Sequence, residues 1–176
     1  MIITDIKEFK IQYDESLHLL RVEWAAGRDM RRLRPALEQL AQLATSRHIT
    51  HGLLAIDGLS DISAYDQIWL GSQWLPKTER LALKQAVVVL SSGKVYNQQA
   101  IETLFELNRK LVKFDFQFFS QSVAAMHWLT NESRRLPALL AEWDAAFGPV
   151  SAGVAVRRAC QPGSYTHLGT AFEKRG

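Results

Sequence analysis

The sequence predicts an α/β domain: a mixed, mostly parallel sheet of about five strands flanked by helices, with an extra C-terminal helix and an irregular tail. Three observations predict it. The apolar run Leu53 to Asp57 closes on a carboxylate, Ala64 to Leu75 is a helical run carrying two tryptophans, and Ala86 to Leu90 is a second apolar run. In that order they form one βαβ crossover, the unit from which parallel sheets are built.

Each element follows from its own pattern. Phe9, Ile11 and Tyr13 alternate with Lys10 and Gln12; after the turn at Asp14 to Ser16 a second alternation runs through Leu17, Leu19, Val22 and Trp24, with a phase slip at Leu20. Two alternating runs around a short turn make a hairpin. Met30, Leu33, Leu37, Leu40 and Ala44 then recur at steps of three and four, which is an amphipathic helix. Pro35 is tolerated only in a first turn, so either the helix begins near it or a short turn from Asp29 precedes it.

Ser63, with Asp66 three residues on, caps the tryptophan-bearing helix, which stops at Pro76. Ser91 to Lys94 turns the chain into a third helix, about Asn97 to Lys110, whose apolar face is Ile101, Leu104, Phe105 and Leu111. Phe114, Phe116 and Phe118 alternate with Asp115 and Gln117, as in an edge strand with one face covered. Ser120 or Ser122 caps a helix holding Val123, Ala124, Met126, Trp128 and Leu129. The order β-β-α-β-α-β-α-β-α makes the last three crossovers parallel and right-handed. Residues 1–130 form the domain. Residues 131–147 are an amphipathic helix, through Leu136, Leu139, Leu140 and Trp143, that packs back or meets a partner, and 148–176 a poorly ordered basic tail.

Charge excludes one class of function. Arg157, Arg158, Lys174 and Arg175 against Glu173 carry the whole formal excess of +3, leaving 17 basic and 17 acidic residues in 1–150. No basic face remains to release counterions from a phosphate backbone, so no nucleic-acid partner is expected. The single cysteine, Cys160, has no partner for a disulfide, and no apolar run approaches the roughly 20 residues of a membrane helix. No signal-peptide apolar region is present near Asp5, Lys7 and Glu8, so the cytoplasm is the expected compartment.

The order of elements, the strand-final Asp57 with its loop to Ser63, the paired tryptophans of Trp69 to Pro76, the Lys84 to Val89 strand and the closing Ala124 to Leu129 helix resemble the SpoIIAA-like family. That family is grouped with STAS domains and related in fold to CRAL-TRIO lipid-transfer domains. The likeness covers roughly Phe9 to Leu129. It implies a compact α/β module without enzymatic activity, whose loop at Asp57, Ser60, Asp61 and Ser63 meets a protein partner. In phospho-switched members this loop is of an Asp-Ser-Ser-Gly type; here it keeps hydroxyls in that place but departs from that sequence.

The residues themselves leave two readings of that loop. Ser63 either receives a phosphate favoured by the helix N-terminus or caps the helix, worth roughly 1 kcal/mol. Asp57 either binds a ligand at the carboxyl edge of the sheet or accepts N–H bonds within its own turn. Ser91 to Lys94 lacks the glycine spacing of a phosphate-binding loop. No His, Cys, Asp or Glu set has metal-ligand spacing, and no titratable pair takes opposed acid and base roles, so neither cofactor nor enzyme activity is expected.

Trp69 and Trp74 lie about 140° apart around a helix, so one packs on the sheet and the other lines a ligand cleft or a homodimer contact, unless both are simply part-buried. With Tyr65, Tyr96 and Phe105 they form a candidate cleft for a small apolar or lipid-like ligand. The expectation is therefore a protein-interaction module, with a carrier of such a ligand as the alternative.

Overall fold

The structure, a computed structural model, describes residues 1–148. Beyond Gly148, the basic tail with Cys160 lies outside the described residues. Six strands stand across one sheet in chain order: β1 (Ile2–Ile3), β2 (Phe9–Asp14), β3 (Leu19–Trp24), β4 (His51–Ala55), β5 (Gln85–Val89) and β6 (Asp115–Phe119). The pairs β1/β2 and β2/β3 are antiparallel, and β3 to β6 are mutually parallel. The α/β class is as the sequence predicts. To the expected strands the fold adds β1, whose two residues are too few to show a period.

One face of the sheet carries α1 (Leu33–Ser46), the composite helix α2 (Ala64–Trp69) to α3 (Leu75–Thr78), and α4 (Val95–Leu107). Each crossover steps one strand in the same direction, and Leu37, Leu70 and Ile101 from these helices pack in one cluster with Phe9, Ile11, Val22 and Val88. The opposite face is covered by α5 (Ser122–Thr130) and α6 (Leu136–Phe147), whose Ala125, Met126, Leu129 and Leu139 meet Leu19, Leu53, Val87 and Val89. Layers on both sides explain the phase slip in the third strand. Leu19 packs under α5 and α6 while Leu20 packs on the other side, so consecutive residues are both buried.

The local signals resolve as follows. A short 3-10 turn, Met30–Arg32, capped by the Asp29 carboxylate on the Arg31 N–H, precedes α1, which leaves Pro35 in the first turn. The tryptophan-bearing helix does not stop at Pro76. Between α2 and α3 the chain widens into a π-turn, Leu70–Trp74, closed by the Leu75 N–H on the Leu70 carbonyl. The missing N–H of Pro76 then falls in the first turn of α3, where no intrahelical donor is needed. Neither Ser120 nor Ser122 caps α5: Gln121 holds that position without a side-chain bond, and Ser122 is already helical and buried. Asn131 and Glu132, with φ of 47° and 57°, then reverse the chain into α6.

Candidate functional site

At the carboxyl edge, the loop from Asp57 to Ser63 is anchored from below and braced from the side. Leu59 and Ile62 are buried, while Asp57, Asp61 and Ser63 stay exposed. Asn97, fully buried on α4, accepts the Ile62 N–H at 3.0 Å and donates to the Ser60 carbonyl at 3.1 Å. Lys94 donates to the Leu59 carbonyl at 2.8 Å and Gln67 to that of Ile62 at 2.8 Å. Four backbone polar groups of a chain reversal are thus held by side chains, which fixes the loop's shape.

The named loop residues take distinct places. The Asp57 carboxylate accepts the Ser91 N–H, tying together the loops after β4 and β5 instead of closing its own turn. The Ser60 hydroxyl donates to the Arg28 carbonyl at 3.4 Å. Ser63 accepts the Asp66 N–H at 3.2 Å and donates to the Asp66 carboxylate at 2.7 Å, and Arg34 pairs with Asp66 at 2.9 Å. The hydroxyl is engaged as a cap.

The five aromatic residues expected to line a cleft do not converge. Trp74 and Phe105 line an apolar cavity of ≈ 170 Å³ between the sheet and α1, α2–α3 and α4, alongside Leu37, Leu40, Leu54 and Phe116. Gly52 and Thr78 are the exceptions to its apolar lining, and the Thr78 hydroxyl donates to the Leu75 carbonyl. The Trp74 N–H donates to the Leu37 carbonyl at 3.0 Å, so no polar group points inward to orient a ligand. Trp69 is part-buried, its ring 5.5 Å from the Arg34 guanidinium. Tyr65, Ile68 and Tyr96 are 79%, 67% and 50% exposed, and Gln67 joins the two ends of this surface by donating to the Tyr96 hydroxyl at 3.1 Å.

Lys10, Gln12 and Arg21, polar residues of the hairpin, lie under α6, where Lys10 stands over the Phe147 ring and Arg21 over that of Trp143. Gln12 donates to the Leu139 carbonyl at 2.8 Å and to Glu142 at 2.7 Å, and Arg135 pairs at 2.6 Å with Asp14, which is 3% exposed. Burial pushes the Asp14 carboxyl up, but hydrogen bonds from Ser16, Arg135 and the Leu17 N–H outweigh it and hold it below the usual range. Arg21 is 1% exposed, and neither of its terminal nitrogens has a hydrogen-bond partner among the described residues, nor has the Gln12 Oε1 beside it. Burial lowers the guanidinium pKa to about 10, against the opposing pull of Glu23 and Asp144. The signal for this layer was the apolar stripe of residues 136–143, which had to cover some surface.

Among the described residues no three His, Cys, Asp or Glu side chains are grouped to hold a metal ion, and no helix is long and apolar enough to cross a membrane. The chain was compared with protein-family models, curated proteins and solved structures, and none matches.

Proposed function

We propose that the chain is a non-enzymatic, STAS-like protein-interaction module that meets its partner at the carboxyl edge of the sheet. One observation carries this: Tyr65, Ile68 and Tyr96 stand in solvent beside a loop whose backbone is braced from within by Asn97, Lys94 and Gln67. Aromatic and aliphatic side chains on a rigid frame are what a protein interface uses at its centre, because they bury area without first losing loop entropy. Asp57, Asp61 and Ser63 supply a polar rim. Ser63 contributes by capping α2, and the reading requires no phosphate on it.

Affinity capture from native extract, with the wild-type chain and a Tyr65→Ser/Ile68→Ser variant as baits, tests the reading. Both positions are exposed, so the variant folds. A protein retained by the wild type and lost by the variant supports it. No retained protein, or the same set on both baits, ends it.

A second reading rests on the cavity. Its ≈ 170 Å³ and apolar lining suit a molecule of benzene size, while carriers of larger ligands have pockets of about 300 Å³ or more. A lipid-like occupant therefore requires α2–α3 to shift away from the sheet. Tryptophan fluorescence of Trp74 that is unchanged by saturating benzene removes this reading.

A further inference from the structure

We propose that β6 and the groove beside it form an acceptor site for one more strand, supplied by an extended peptide that alternates basic and apolar side chains. Among the described residues strand β6 is the last of the sheet, and its inner side is fully used. The Asp115 N–H donates to the Lys84 carbonyl at 2.9 Å and the Phe119 carbonyl accepts the Leu90 N–H at 2.9 Å. Alternation along a strand then turns the N–H and C=O groups of Phe116 and Phe118 outward, away from β5. An edge of this kind is a template for main-chain pairing.

What lies beside the edge sets the chemistry of the partner. A groove of ≈ 500 Å³ runs between β6 and α4, lined by Phe105, Phe116 and Phe118 with Glu102 and Glu106 from the helix and Arg109 from the turn after it. The phenylalanines are pre-arranged: Phe105 stacks on Phe116 at 3.9 Å and Phe116 meets Phe118 edge-on at 4.9 Å. They offer a half-buried apolar floor to alternate side chains of an incoming strand. Asp115 also lines the groove, making three carboxylates against Arg109, which lies 3.8 Å from Glu106. Lys113, two residues before the strand, is turned aside to pair with Glu79. The basic side chains of such a strand enter the groove, where their aliphatic stems lie on the floor and their charged ends reach Glu102 and Glu106, while the alternate apolar ones lie on the opposite face, beside Phe119 and Trp128.

The same charges argue against a second copy of the chain. Two-fold pairing of β6 with itself would bring Glu102, Glu106 and Asp115 of one molecule beside those of the other. This site is separate from the surface formed by Tyr65, Ile68 and Tyr96, so the two proposals stand or fall independently.

The test uses the full chain, labelled with nitrogen-15, and two short blocked peptides, one alternating Lys and Val and one alternating Glu and Val. The Lys/Val peptide is expected to shift the Phe116 and Phe118 amides saturably and to slow their hydrogen exchange. The Glu/Val peptide should bind about tenfold more weakly, and a Glu102→Lys/Glu106→Lys variant should weaken the Lys/Val peptide by a similar factor. The two glutamates are exposed on a helix, so their exchange leaves the fold intact. A Tyr65→Ser/Ile68→Ser variant should bind the peptide as the wild type does. No binding, equal affinity for both peptides, or shifts confined to other amides would overturn the proposal. So would sedimentation showing a dimer whose β6 amides are protected without any peptide.

Discussion

The guanidinium carbon of Arg21 lies 3.7 Å from the centroid of the Trp143 ring, and the two side chains are each 1% exposed. The ring face attracts the cation but accepts no proper hydrogen bond, so the terminal N–H groups of Arg21 are withdrawn from water with no hydrogen-bond partner among the described residues. Helix α6 is thereby docked on a charge that opposes its own burial.

Replacing that charge with an apolar side chain of similar length should make the fold more stable. Arg21→Met is expected to raise the free energy of unfolding by about 1–4 kcal/mol, read from urea denaturation. Trp143→Ala should lower it by about 3–5 kcal/mol. A marked loss in Arg21→Met would mean that the stack on Trp143 outweighs desolvation.

Asp14 gives the fold an acid-sensitive joint between β2 and α6. Its carboxyl titrates lower in the fold than in the unfolded chain, so its stabilisation is present above the unfolded value of about 3.9 and is lost as pH falls through the lower folded one. Asp14→Asn should therefore be less stable than the wild type at neutral pH, with the deficit shrinking below about pH 4. Thermal melts whose difference is the same at both ends of that range contradict this role.

Asn97 should matter more to the loop than to the sheet. Asn97→Ala leaves the Ile62 N–H and the Ser60 carbonyl without their partner, at a cost of about 1–3 kcal/mol. Hydrogen exchange should quicken at Ser60 to Ser63 before it does in β4. Uniform acceleration across both would show that the loop has no separate stability.

Two glycines should respond in opposite directions. A Cβ at Gly52, in β4, would meet Leu83 at an ordinary 3.6 Å, so Gly52→Ala should stabilise by about 0.5–1 kcal/mol. At Gly71, in the π-turn, a Cβ would sit 3.2 Å from Leu104 and 3.4 Å from Asn108, so Gly71→Ala should destabilise by pushing α4 away. Calorimetric melting temperatures that move the same way for both would show that the close approach of this turn to α4 is not under strain.

The crossover architecture was legible because the strands buried on both faces are short apolar runs and the helices between them carry clear stripes. Covering layers were harder to read. The stripe of Leu136, Leu139 and Trp143 shows that α6 must rest on something, but periodicity does not tell which surface, and the polar side of the hairpin is an unexpected choice. The π-turn escapes a local rule because the rule ends a regular helix at proline, whereas one widened turn re-sites Pro76. At the site, the cap at Ser63 follows from its spacing to Asp66, while Asn97 and Lys94 lie 31 or more residues beyond Ser63 and reach the loop only through the stacking of α4 on the sheet.

Because every strand lies beside its neighbours in the chain, no pairing has to wait for a distant segment to arrive. The sheet can grow by accretion from the hairpin as the polypeptide leaves the ribosome, each new layer adding to a finished edge. Helix α6 is the exception: it returns from the far end of the domain to the first strands, so it is the last piece to settle and the one whose docking closes the nascent core.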